Sequence, residues 1–95
     1  MEYFTVTVPY HYLFELPLDE AVVYYFIETL IINQSAVSND TTIQREMLED
    51  VIYEGFIFID NEVEILGVLI KKGYLCSLET SNGEHITLGS ASLHL

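Results

Sequence analysis

Residues 41–55, TTIQREMLEDVIYEG, combine a helix start signal, an apolar stripe and a glycine stop in one short stretch. Thr41 and Gln44 have the spacing of a capping box, and Gly55 stands where a left-handed C-terminal cap is expected. The apolar residues recur at helical spacing and predict a single buried face: Ile43, Met47, Leu48, Val51 and Ile52. The stretch therefore predicts an amphipathic helix.

A strand is predicted ahead of this helix. Apolar residues alternate with other residues from Phe4 to Leu16, which is typical of a strand with one buried face. Pro9 lacks a backbone N–H and favours an edge position or a bulge, because it cannot donate to a neighbouring strand. Pro17 is expected to end this strand.

A further helix is predicted over residues 20–33, with Asp19 as its N-cap. Its core stripe is expected to comprise Val22, Val23, Phe26, Ile27, Leu30 and Ile31. Tyr24, Tyr25 and Ile32 widen the apolar surface, so the helix either is sandwiched within the fold or presents a second face to another chain. The polar residues 33–40 predict a loop.

The rest of the chain predicts β structure. Strands are expected at residues 56–59, 63–70, 74–80 and 84–95, with turns at Asp60-Asn61-Glu62 and residues 71–73. Ser81-Asn82-Gly83 carries the Asn-Gly signal of a β-hairpin. The predicted fold is one α+β domain over residues 1–95. It comprises strand-helix-helix followed by a four-strand antiparallel meander, with the helices on one face of the sheet.

Charge and hydropathy narrow the choice of partner. Fifteen acids face three bases, giving a net charge of −12, while 51% of the residues are hydrophobic and twelve are aromatic. Phosphates would be repelled, so direct binding to nucleic acid or to an anionic membrane is not expected. The charge favours a protein partner with a basic surface, including proteins that bind nucleic acid. The competing interpretation is that acidity only keeps an apolar chain in solution.

Seven of the fifteen acids lie between positions 46 and 64 with no base among them, and we predict that they bind the partner: Glu46, Glu49, Asp50, Glu54, Asp60, Glu62 and Glu64. Glu46, Asp50 and Glu54 are spaced one helical turn apart, so a helix would align them in a column. Like charges at this spacing cost a few tenths of a kcal/mol per pair. The column is either a solvated face or a functional face that mimics phosphates.

Catalytic and metal chemistry find little support in the sequence. Asp60, Glu62 and Glu64 offer oxygen ligands for a divalent cation, but acids at alternate strand positions also protect a sheet edge. We predict no metal site, no cofactor and no enzyme activity, since the histidines are dispersed and no glycine-rich phosphate loop is present. Cys76, the only cysteine, lies in an apolar run and is expected to be buried and inert.

These features predict a small acidic inhibitor or modulator that occupies a basic, nucleic-acid-binding surface of a target protein. Viral anti-CRISPR and anti-restriction proteins that mimic DNA share this size and composition, although no family motif is present. The alternative is an assembly subunit that forms a homodimer or obligate complex through apolar surface. The expected location is the cytoplasm, or the host cytoplasm for a viral protein, because the sequence shows no basic n-region and the apolar run at 21–32 is too short to span a bilayer.

Overall fold

A computed structural model of the chain describes residues 8–55 and 62–93. In these residues the fold is α+β, with four helices and a three-stranded antiparallel sheet of order β1-β3-β2. The elements in chain order are α1 (Tyr12–Glu15), α2 (Leu18–Ser38), β1 (Ile43–Gln44), α3 (Arg45–Gly55), α4 (Glu62–Lys71), β2 (Leu75–Thr80) and β3 (Gly83–Leu88). The predicted strand-helix-helix order and four-strand meander are therefore wrong. The predicted strand at 56–59 lies outside the described residues.

The segment predicted as the first strand is helical where it is described. Tyr12 and Leu16 are buried, while Tyr10 and Phe14 are exposed. A strand would bury all four on one face, whereas the i, i+4 spacing of the two buried residues fits a helical turn. Tyr12 is also held by a 2.6 Å hydrogen bond from its hydroxyl to Glu28 on α2, a tertiary contact that local alternation does not reveal.

Helix α2 is longer at both ends than predicted. It begins after Pro17 rather than after Asp19, and it continues to Ser38. Asn39 then adopts the left-handed conformation with φ 61° and donates its N–H to the Ser35 carbonyl. The polar residues predicted as a loop extend the helix, because their side chains are mostly exposed and interrupt no core packing.

Residues 62–71 form helix α4 and not the predicted central strand. The run is apolar on both faces, and such short runs do not separate a buried strand from a buried helix. Ile65, Leu66 and Leu69 are buried with helical spacing. The helix ends in a Schellman motif, with the Gly73 N–H bonded to Ile70 and the Tyr74 N–H bonded to Leu69.

The predicted hairpin between residues 74 and 88 is confirmed. Strands β2 and β3 pair in register from Leu75↔Leu88 to Thr80↔Gly83 around the Ser81-Asn82 turn. Gly83 has φ 104°, a conformation that glycine adopts without steric cost. Strand β3 ends at Leu88, so the predicted extension to residue 95 is wrong as far as residue 93.

Strand β1 places Ile43 and Gln44 in the sheet, opposite Ile86 and His85 of β3. The predicted capping box is therefore wrong, because helix α3 begins only at Arg45. The core lies between the helices and the sheet and contains these buried residues: Tyr12, Leu16, Ala21, Val23, Tyr24, Ile27, Ile31, Ile43, Leu48, Ile52, Ile65, Leu66, Leu69, Leu75 and Ile86. Within the described residues, no helix is both long and apolar enough to cross a membrane.

Candidate functional site

Helix α3 displays the acidic column that the sequence predicted. Leu48 and Ile52 point into the core, and this fixes the rotation of the helix. Glu46, Asp50 and Glu54 then fall on the opposite side, and all three are exposed. Among the described residues, none of them forms an ion pair. We call these three carboxylates the acidic column.

Glu49 has a different role from the column. Its carboxylate accepts a 3.0 Å bond from Arg45, which also donates to Glu84 on β3 at 2.6 Å. A hydrogen bond from Ser77, followed by the Arg45 guanidinium, lowers the pKa of the Glu84 carboxyl below its usual value. This group ties α3 to the hairpin, so Glu49 is engaged within the fold. The sequence did not reveal it, because Arg45 and Glu84 are distant along the chain.

The remaining predicted partner-binding acids do not continue the column along a strand. Asp60 lies outside the described residues, as does the side chain of Glu62. Glu64 is exposed on α4. Positions 62 and 64 belong to a helix, where residues two apart do not share a face, so the predicted alignment of these acids on a strand is wrong. The described residues contain no group of acids, histidines or cysteines that could hold a metal ion.

An apolar groove of about 370 Å³ runs beside the acidic column, between α2 and α3. The apolar residues that line it are Leu30, Ile43, Met47, Leu48 and Val51. Met47 is 59% exposed and Val51 37% exposed, so their predicted burial is wrong. We call this feature the α2–α3 groove.

The sequence does indicate that some apolar side chains of residues 43–52 remain at the surface, because five of these positions are apolar. They span a wider arc than one packing face of α3 can bury, and Ile43 belongs to β1 rather than to the helix. The surplus, Met47 and Val51, remains at the surface. Gln34 also lines the groove, and its amide donates to the carbonyls of Asp40 and Thr42.

A second carboxylate site lies in the core around Glu28, which is only 2% exposed. Its Oε1 accepts the Tyr12 hydroxyl, and burial followed by the hydrogen bond with Glu28 raises the pKa of Tyr24 to about 12. The Tyr24 hydroxyl also accepts the Leu93 N–H at 2.9 Å and lies 3.0 Å from the Ser92 Oγ. Tyr12, Glu28 and Tyr24 therefore connect α1, α2 and the segment after β3. The sequence pattern did not indicate this role, because the partners are distant along the chain.

The residues considered for catalysis are scattered. Cys76 is exposed on β2, so its predicted burial is wrong. His11 is exposed beside α1, whereas the His85 Nδ1 lies 3.1 Å from the Thr42 hydroxyl, and His94 lies outside the described residues. Comparison of the chain with protein-family models, curated proteins and solved structures gave no match.

Proposed function

We propose that this protein binds a basic surface of another protein through the acidic column and thereby competes with nucleic acid for that surface. The observation that carries the proposal is the exposure of Glu46, Asp50 and Glu54 at one-turn spacing, with no ion pair from any of them to a described base. Residues at this spacing have Cβ atoms about 5–6 Å apart, which is of the same order as the separation of successive phosphates along one strand. An inhibitor that mimics nucleic acid, of the anti-CRISPR or anti-restriction kind, would present charge in this way.

The distribution of bases supports the same proposal. Arg45 is engaged by Glu49 and Glu84, and Lys72 donates to Glu20 at 2.7 Å. Lys71 is the remaining base and is exposed at the end of α4. The described bases therefore leave the column uncompensated, while the net charge of −12 supplies a long-range attraction toward cationic surfaces.

The test compares two charge-matched double variants in capture from a cell lysate. Asp50→Lys/Glu54→Lys reverses part of the column, whereas Glu15→Lys/Glu79→Lys reverses two exposed acids elsewhere. Each changes the net charge from −12 to −8, since every reversal adds two units. We expect wild type and the second variant to retain the same basic nucleic-acid-binding protein, identified by mass spectrometry, and the column variant to lose it.

The captured protein is then assayed for binding to its own nucleic acid. Wild-type protein should displace the nucleic acid, and the column variant should not. Equal losses in the two variants would show that only total charge matters, and the proposal would then be wrong.

A homodimer is the second candidate, and a particular apolar patch favours it. Tyr10 and Phe14 are each 74% exposed, with ring centroids 5.1 Å apart in an edge arrangement, and Leu13 and Leu18 are exposed nearby in sequence. By contrast, Tyr24 is fully buried, so the second face of α2 gives less support for a dimer than the sequence suggested. Sedimentation of wild type and Tyr10→Gln/Phe14→Gln at micromolar concentration tests this candidate: a wild-type dimer that the variant loses supports it, and a wild-type monomer excludes it.

A further inference from the structure

We propose that the α2–α3 groove receives apolar anchor side chains from a basic amphipathic segment of the partner, while the acidic column binds the cationic flank of that segment. The inference rests on the proposed function and specifies its partner. Two surfaces of α3 lie side by side in this proposal. One is formed by Met47 and Val51, which line the groove, and the other is the acidic column.

Helical spacing sets how these two surfaces meet. Asp50 lies three positions after Met47, and Glu54 lies three positions after Val51, so each acid neighbours a groove residue on the helix surface. The groove lining is mostly apolar, with Asn33 and Gln34 as its polar members, and the acidic column lies next to that lining on the surface of α3. An amphipathic helix placed in such a groove would insert its i, i+3, i+4, i+7 side chains, and lysines or arginines beside that stripe would meet the column.

The volume of the groove suits anchors rather than a whole helix. About 370 Å³ accommodates a few large side chains. Buried anchors of this kind carry most of the affinity in many interfaces, while the charged rim sets encounter rate and specificity.

Charge argues against a second copy of this chain as the occupant. Docking of two copies through the groove would bring their acidic columns together, and each chain carries a net charge of −12. Like-charge juxtaposition across an interface is unfavourable, whereas a cationic segment gains attraction at the same place.

The probe is a fluorescein-labelled helical peptide of about 18 residues, with leucines at the i, i+3, i+4, i+7 positions and lysines flanking them. A peptide of the same composition without the apolar stripe is the control ligand. Fluorescence anisotropy measures its affinity for wild type and three variants. Met47→Gln/Val51→Gln makes the groove polar, Asp50→Lys/Glu54→Lys reverses the column, and Tyr53→Gln changes an exposed apolar residue of α3 that does not line the groove.

We expect the stripe peptide to bind wild type and Tyr53→Gln equally, and to bind the groove and column variants at least about tenfold more weakly, a loss of about 1.4 kcal/mol. Weakening by the column variant alone would overturn the groove inference and leave the proposed function intact. Weakening by the groove variant alone would contradict the proposed function. Equal binding of the two peptides, or no binding of the stripe peptide, would also overturn the groove inference.

Two further results would assign the groove to another occupant and overturn the inference. One is a wild-type dimer, seen by sedimentation without peptide, that Met47→Gln/Val51→Gln abolishes. The other is tighter peptide binding by Tyr3→Gln/Phe4→Gln in the whole 95-residue chain, which would indicate that the chain's own first residues compete for the groove.

Discussion

Glu28 on α2 and the acidic column on α3 carry the same chemical group in opposite surroundings. Glu28 is buried and accepts a hydrogen bond from Tyr12, and its neighbour Tyr24 binds the segment after β3. The column carboxylates are exposed, and no ion pair in the described residues involves them. The comparison separates acids that hold the fold together from acids that remain available to another molecule.

This contrast implies that stability and binding depend on different acids. A buried polar network is costly to disrupt, because its members cannot recover their hydrogen bonds from water. An exposed carboxylate loses little on substitution, because water already solvates it. Glu28 is therefore expected to affect folding, and the acidic column is expected to affect association.

The largest effect is expected for Glu28→Ala. The change removes the acceptor of the Tyr12 hydroxyl and leaves a cavity in the core, so we expect a loss of about 3–5 kcal/mol in the free energy of unfolding. Asp50→Ala, the matched change in the column, should cost no more than about 0.5 kcal/mol. Urea denaturation followed by circular dichroism measures both. Equal urea midpoints for Glu28→Ala and Asp50→Ala would contradict the distinction between the buried Glu28 and the exposed acidic column.

The next prediction compares the stability costs of truncating two neighbouring residues of α3. Leu48 is 1% exposed, and Leu48→Ala should cost about 2–3 kcal/mol, toward the lower end for buried leucines because the adjacent groove lets neighbours relax. Met47→Ala should cost less than about 1 kcal/mol, since most of its side chain is already in water. The same urea series tests this pair. A larger cost for Met47 would mean that the rotation of α3 is misassigned.

A further effect on stability is expected at alkaline pH. Burial, with Glu28 as a second cause, raises the pKa of Tyr12 well above its ordinary value of 10.0 and that of Tyr24 to about 12. The folded state therefore binds these phenolic protons more tightly than the unfolded state. The resulting stability is fully present below pH 10 and is lost as the pH rises through about 12.

Tyrosinate absorbance during an alkaline titration measures the ionisation of these two residues. Tyr12 and Tyr24 should ionise only with unfolding, so their share of the tyrosinate signal should appear together with the loss of the folded state. In Tyr24→Phe, one late-ionising group should disappear. Ionisation of Tyr12 and Tyr24 near pH 10 while circular dichroism still shows the folded state would contradict the buried network.

The sequence predicted the column and the hairpin well, because both depend on local rules. One-turn spacing of Glu46 and Asp50 needs only a helix through them, and the hairpin needs only two strands around Ser81-Asn82-Gly83. The sequence predicts strands through residues 12–16 and 63–70 where the structure has helices, because a short apolar run satisfies both a strand and a buried helix. The deciding contacts, such as Tyr12 to Glu28, join residues that are distant in sequence.

The α2–α3 groove was not predicted for a related reason. Its walls come from α2, β1 and α3, so its existence depends on how these elements pack. The sequence placed Met47 and Val51 on the core side of one long helix. In the structure Ile43 belongs to β1, the buried face of α3 is formed by Leu48 and Ile52, and Met47 and Val51 remain exposed beside the acids.

The most direct test of the central claim is the salt dependence of partner binding in the two charge-matched variants. For the protein retained in the capture experiment, the dissociation constant is measured at several salt concentrations with wild type, Asp50→Lys/Glu54→Lys and Glu15→Lys/Glu79→Lys. Urea midpoints should differ little among the three proteins, because all four substituted positions are exposed.

We expect wild type and the second variant to bind with similarly steep salt dependence, since exposed charge pairs are screened beyond about 8–10 Å. The column variant should bind at least about tenfold more weakly and with a shallower salt dependence. Identical affinities and salt dependences for all three proteins would contradict the claim that the acidic column is the binding surface.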